Sequence, residues 1–247
     1  MKRKYPYFSG VLFLAMVASG CESNHISYDV PAVYSKIYGA SSIYIEGDEV
    51  VIKTNGRPDH QSPYYLNTEW ESTLWVDDTR PSFTQAPGNK VSTVNYTFRI
   101  PKNPQVASTH TTLGAATIGV AINGVPFFNQ FQMTNTAITT TSGEYLSFDL
   151  YGGHPTPLNE YHYHIEPYYL TAIKGSDALM GFMLDGFPIY GPVENGVTLT
   201  TADLDAYHGH TGVTEDYPDG IYHYHITADF PYINGNGYYG TQGSWSK

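Results

Sequence analysis

Tyr161-His162-Tyr163-His164 and Tyr222-His223-Tyr224-His225 are one tetrapeptide written twice. Side chains alternate along a β-strand, so such a run puts both histidines on one face and both tyrosines on the other. Two histidines on one strand face are roughly 7 Å apart at the backbone, close enough for both imidazoles to lean onto one metal ion. The tyrosine face suits a half-buried pleat and is expected to pack into the core. With 23 tyrosines and 10 histidines in the chain, one copy could be chance; two copies in matching contexts are not.

The contexts do match. Gly119-Val-Ala-Ile-Asn-Gly-Val-Pro-Phe-Phe-Asn129 aligns with Gly181-Phe-Met-Leu-Asp-Gly-Phe-Pro-Ile-Tyr-Gly191. Asp149-Leu-Tyr-Gly-Gly-His154 aligns with Asp205-Ala-Tyr-His-Gly-His210. The order of turn motif, Gly-His and tetrapeptide therefore occurs twice, and it reads as an internal duplication over about residues 119–166 and 181–227. Asn123-Gly124 and Asp185-Gly186 are hairpin signals, expected as type I′ turns with positive φ at both positions. Pro126 and Pro188 follow them and imply an edge strand or an irregular one.

The rest of the chain agrees with a mainly β fold, sandwich-like or irregular, with few short helices. Glycine (24) and proline (16) are plentiful and charged residues make up only 14%. A hairpin is expected over 42–54, where Ile43 and Ile45 precede Glu46-Gly47-Asp48 and Val50-Val51-Ile52 follow. A strand is expected over 91–100 from the alternation of Val94, Tyr96, Phe98 and Ile100. Trp70, Leu74 and Trp75 suit one helical turn, and Thr200 to Asp203 can start a short helix.

The N-terminus has export grammar. Lys2, Arg3 and Lys4 precede the apolar run 11–18, which is too short to span a membrane comfortably. Ala18-Ser19-Gly20-Cys21 then resembles the lipobox of bacterial lipoproteins, with Cys21 as the lipid-bearing residue. The division expected is a signal peptide over 1–20, a flexible tether over 21–41 and one folded domain over 42–247. Localisation follows as the cell envelope, lipid-anchored and facing the periplasm or the cell exterior. Cys21 is the only cysteine, so no intramolecular disulfide can form. The net charge is −11 and no basic run remains after the leader, which argues against nucleic-acid binding.

The chemistry lies in the histidines. Each repeat supplies three in register: His154, His162 and His164, then His210, His223 and His225, with His208 extra in the second. Three imidazoles, two as His-x-His on a strand, can hold a metal. The repeats either bind one ion each or share one centre. The expectation is that both pairs project into one shared polar cleft. Copper or zinc, one or two ions, is the expected cofactor, copper first because all-imidazole sites rank it above other divalent ions. No thiolate, no His-Glu-x-x-His helix, no Gly-x-Ser-x-Gly elbow and no phosphate-binding glycine loop is present. His25 and His110 read as plain surface residues.

Asp185-Gly-Phe-Pro-Ile-Tyr-Gly-Pro192, both tetrapeptides and the two Gly-His elements together resemble the bacterial YHYH-domain proteins over roughly residues 43–240. Asn55-Gly-Arg-Pro-Asp-His60 resembles that family's early Asn-Gly-x-Pro-x-His segment, and the resemblance adds His60 to the candidate ligands. Many members look to carry cysteines near the Gly-His elements, which this chain lacks. The resemblance brings no activity with it. A lipid-anchored metal-binding protein comes first. A metal-dependent oxidoreductase or hydrolase at the same histidines comes second, with Tyr161, Tyr222 and Asp185 as nearby groups. A carbohydrate- or partner-binding β domain with structural histidines comes third.

Overall fold

The computed structural model describes residues 30–113 and 117–247, together with the backbone of His25–Ile26. Cys21 and the export segment lie outside the described residues.

In chain order the strands are β1 (His25–Ile26), β2 (Ala40–Glu46), β3 (Glu49–Thr54), β4 (Tyr96–Pro101), β5 (Thr117–Ala121), β6 (Pro126–Phe128), β7 (Gly153–Pro155) and β8 (Tyr161–Tyr163). They continue with β9 (Leu179–Met183), β10 (Pro188–Tyr190), β11 (Val193–Glu194), β12 (Val197–Thr198), β13 (Gly209–Gly212), β14 (Ile221–His225) and β15 (Ser244–Ser246). The α-helices among the described residues are short: α1 (Glu71–Leu74) and α2 (Tyr168–Lys174). The chain is mainly β, as expected.

β1-β2-β3-β4-β15 form one sheet, in that order. The other sheet runs β13-β14-β10-β9-β5-β6-β8-β7. Ile43, Ile52 and Phe98 from the first share one hydrophobic core with Val120, Phe127 and Phe182 from the second. The eight-stranded sheet has two halves of the same build. β6 pairs parallel with β8 through Phe127 and Tyr163; β10 pairs parallel with β14 through Ile189 and Tyr224. His154 lies opposite His162, and His210 opposite His223. The halves meet at the antiparallel β5–β9 pair, where Gly119 faces Met183 and Ala121 faces Gly181. Exchanging the aligned repeats carries each of those pairs into the other, as a local twofold through Val120 and Phe182 requires. This register follows the alignment of the two sequence repeats.

Three expectations are corrected. The hairpins at Asn123-Gly124 and Asp185-Gly186 form, but only the glycines have positive φ, +83° and +85°. Gly124 N–H donates to Ala121 O and Ala121 N–H to Val125 O; Gly186 and Met183 repeat this with Met183 and Phe187. Each is a three-residue loop whose last residue is left-handed, which favours glycine, while Asn123 and Asp185 cap the following amides (Val125 and Phe187) with their Oδ1 atoms. The two prolines do not mark sheet edges: β6 and β10 are interior strands with proline at the first residue, where no donor is needed, and the irregularity falls in their register shifts against β5 and β9. Finally, the expected tether is too long. Residues Ala32–Lys36 form a 3-10 helix, and Tyr34 and Ile37 are buried in the core, so the packed chain starts before residue 42.

Candidate metal centres

The tetrapeptides behave as their alternation requires. Tyr161, Tyr163, Tyr222 and Tyr224 are buried on the core side. Tyr161 donates to Asp149 (2.8 Å) and Tyr222 to Asp205 (2.9 Å), each the aspartate that opens its Gly-His segment. Tyr224 donates to Asp185 (2.6 Å), while Tyr163 accepts from Asn123 (3.1 Å), so the hairpin turns clamp the second tyrosines. Gly153 and Gly209 bring the β7 and β13 backbones against these rings. A Cβ there would sit 2.6 Å from the Tyr161 ring and 2.6 Å from the Tyr222 hydroxyl. The close approach places the next residues, His154 and His210, beside the paired histidines.

On the other strand face the imidazoles converge in two groups, each with a carboxylate. Glu144, His154, His162 and His164 form one; Glu194, His210, His223 and His225 form the second, and within each group one ligand atom per residue lies within 4.8 Å of every other. In the first, His162 Nε2 is 2.9 Å from His164 Nε2, and Glu144 Oε1 is 3.2 Å from His164 Nε2 and 3.4 Å from His154 Nε2. In the second, His210 Nε2 is 3.2 Å from His225 Nε2, Glu194 Oε2 is 3.3 Å from His210 Nε2, and Glu194 Oε1 is 3.4 Å from His223 Nε2. Four ligands around a tetrahedral ion with bonds of about 2.0–2.1 Å stand about 3.3 Å from one another. The contacts observed bracket that edge.

The tautomers are set from behind. His162 Nδ1 donates to Glu160 O (2.9 Å) and His223 Nδ1 to Ile221 O (3.0 Å). His164 Nδ1 donates to Asn129 O (2.5 Å) and His225 Nδ1 to Gly191 O (2.9 Å). A carbonyl only accepts, so these Nδ1 atoms carry the proton. The Ser147 hydroxyl donates to Glu144 O (2.7 Å), so at 2.8 Å it accepts from His154 Nδ1. Lone pairs are thus left at the Nε2 atoms of these five rings, and in the first cluster those of His162 and His164 point at each other beside the Glu144 carboxylate. The Nε2 atoms of His154 and His223 are buried without a hydrogen-bond partner. Ordinarily such groups are paired. Burial lowers the pKa of His154, His162 and His223 and brings His225 down to about 4, so the rings stay neutral. Burial raises the pKa of Glu144, and its approach to His154 and His164 lowers it, to about 2, through contacts that act only when those rings present a proton or a positive charge. Opposed Nε2 lone pairs beside a carboxylate describe a site that lacks one thing, a positive charge at its centre.

The single shared cleft is corrected. Five strand spacings separate β8 from β14, on the order of 24 Å along the sheet. The first group lines one cavity, and His223, His225 and Glu194 line a different one, with no residue in common. His60 joins neither. It sits on the tyrosine side, with Nδ1 donating to Gln61 O (2.9 Å), Nε2 accepting from Tyr163 (3.0 Å), and rings of Tyr151 and Tyr169 around it. Tyr161, Tyr222 and Asp185 face the core and belong to neither cluster; the Tyr161 hydroxyl lies 3.5 Å from His60 Nε2 instead. His208 is buried against Thr227 (3.0 Å), and His110 is half-buried, stacked on Tyr207. The side chain of His25 lies outside the described residues.

Sequence reasoning missed Glu144 and Glu194. Both lie in loops that differ between the repeats: Glu144 leads into the 3-10 turn Tyr145–Ser147, and Glu194 ends β11. A signal did exist. Each is the only glutamate between its hairpin proline and its Gly-His histidine.

Fold and site define a class: a mainly β protein whose central sheet presents a three-histidine, one-carboxylate cluster at each end. The chain belongs to the YHYH protein family, whose profile matches residues 97–196 and 193–237. No curated protein and no solved structure matches the chain.

Proposed function

We propose that the protein binds two divalent transition-metal ions, zinc or copper, one in each three-histidine, one-glutamate cluster. The observation that carries this is the opposition of the His162 and His164 Nε2 lone pairs, 2.9 Å apart with both Nδ1 protons turned away, together with the same three-histidine, one-glutamate grouping in the second cluster. Hydrogen-bonding histidines of a purely structural kind would not be arranged acceptor against acceptor. The carboxylate removes the reason for ranking copper first, since neither set is all-imidazole, and a compact N3O set of four suits zinc equally.

The same reading places the protein in the cell envelope, lipid-anchored at Cys21 and facing the periplasm or the cell exterior. The basic, apolar and Ala-Ser-Gly-Cys segments of the N-terminus support this. A tethered, acidic, metal-binding domain suits capture or buffering of metal outside the cytoplasm. Cys21→Ser should release the protein from the membrane fraction; a variant that still sediments with membranes contradicts the anchor. The metal reading is tested by elemental analysis of the chain expressed without a polyhistidine tag. Two ions per chain are expected, and one after His162→Ala/His164→Ala or after His223→Ala/His225→Ala.

A further inference from the structure

The two centres open onto cavities of different chemistry. The second cluster borders a space of about 250 Å³ shared with Lys36, Lys174, Asp177, Glu215 and Asp216. Lys36 and Asp216 pair across it at 2.5 Å. The first cluster borders a larger space, about 540 Å³, with no lysine or arginine among its lining residues. Most of its exposed wall is apolar, from Ala86, Phe128, Phe131, Met133, Pro155 and Pro157, alongside uncharged polar residues such as Gln85, Asn89 and Gln132. The contrast reaches matched positions. Phe128 and Tyr190 hold the same place in β6 and β10, each opposite the register shift. Phe128 stacks on His162 at 3.9 Å, whereas Tyr190 meets His223 edge-on at 5.4 Å and sends its hydroxyl to Thr214 and Asp216.

We infer that the cavity beside Glu144, His154, His162 and His164 is a binding site for a small, neutral, largely apolar molecule of one or two rings, held against the first metal centre. The volume is that of a small-molecule site, which spans about 300–1,000 Å³. It is far smaller than a groove for a folded partner. An apolar wall with its few ionisable groups gathered at one end orients such a ligand, polar end toward the cluster. An anionic ligand has no basic side chain to meet it in the cavity, the one carboxylate there, Glu144, is committed to the metal centre, and the polar, charged space at the second cluster offers no comparable wall. Met133, 78% exposed, stands at the rim. The inference rests on the metal reading only for the ligand's proximity to an ion.

The test uses the neutral fluorophore N-phenyl-1-naphthylamine and the full-length chain. Saturable one-to-one binding is expected, weakened at least tenfold by Phe131→Asp with the metal content unchanged. Copper(II) should quench the bound dye in His223→Ala/His225→Ala, which keeps only the first cluster. In His162→Ala/His164→Ala, copper should leave any bound dye bright. Binding that never saturates, or that ignores Phe131→Asp, overturns the pocket and leaves the metal count untouched. Equal quenching in both double variants places the dye elsewhere and also overturns it. Saturable, Phe131-dependent binding by a chain that takes up no metal would sink the metal reading and leave the pocket standing.

Discussion

At the scale of single residues, the account rests on protons held on the far side of the imidazoles. Main-chain carbonyls of Glu160, Asn129, Ile221 and Gly191 fix four rings, and Ser147 fixes a fifth. Such outer partners typically contribute 10–100-fold in metal affinity. Ser147→Ala should therefore weaken the first site by about that factor and leave the second unchanged, read by competition with a chelator; equal loss at both sites contradicts the assignment. Burial also ties the metal-free fold to pH. His225 titrates near 4 when folded, and His154, His162 and His223 are likewise lowered by burial, against about 6.5 in an unfolded chain. Between those values the unfolded chain binds protons that the folded one refuses. The stability is complete above pH 6.5 and is lost as pH falls toward 4, by about 1.4 kcal/mol per pH unit for each such histidine. Asp185, raised to about 6 by burial, works in the opposite sense below pH 6 and offsets one histidine. Urea unfolding of metal-free protein should show a clear loss from pH 7 to pH 5; an unchanged midpoint contradicts it. The histidine ligands were legible because Tyr-His-Tyr-His has a period. Glu144 and Glu194 have none, since each comes from a loop whose path only the fold sets.

At the scale of elements, the unit is a strand with two different faces. One face gives imidazoles to the cluster, and the other anchors the strand through Asp149 or Asp205 and through Asn123 or Asp185. The Gly-His strands work by closeness: a Cβ at Gly153 would meet the Tyr161 ring at 2.6 Å, and one at Gly209 the main-chain carbonyl of His223 at 2.4 Å. Gly153→Ala should push β7 from β8, cost about 1–3 kcal/mol by overpacking, and lower metal affinity at the first site alone. Gly209→Ala should do the same at the second. Thermal melts and metal titration of the pair check this, and an alanine at either position with native affinity at both sites would refute it. The hairpins, the helical turn at α1 and the duplicated order could be read from local chemistry. The turn type could not, because Asn tolerates either sign of φ and the register shift beside it decides. Nor is α2 (Tyr168–Lys174) among the elements read from the sequence, because no side chain caps its N-terminus, although Lys174 in its last turn and Gly175 just after it, at φ +108°, mark its end.

At the scale of the whole molecule, the sheet order decides what the sequence left open. A shared cleft needed the tetrapeptides to face each other. Instead β5 and β9 meet in the middle, and β8 and β14 are carried outward with their clusters. That arrangement makes the sites independent: the same fold supports one centre against an apolar cavity and another against a charged one. Disabling one should leave the other's affinity unchanged, since no residue is common to both. The most direct measurement is elemental analysis by mass spectrometry of untagged protein after exhaustive dialysis, beside the two double variants. The account predicts two ions per native chain and one in each of His162→Ala/His164→Ala and His223→Ala/His225→Ala. A native chain that holds no zinc, copper or other transition metal, or a double variant that keeps both ions, contradicts it.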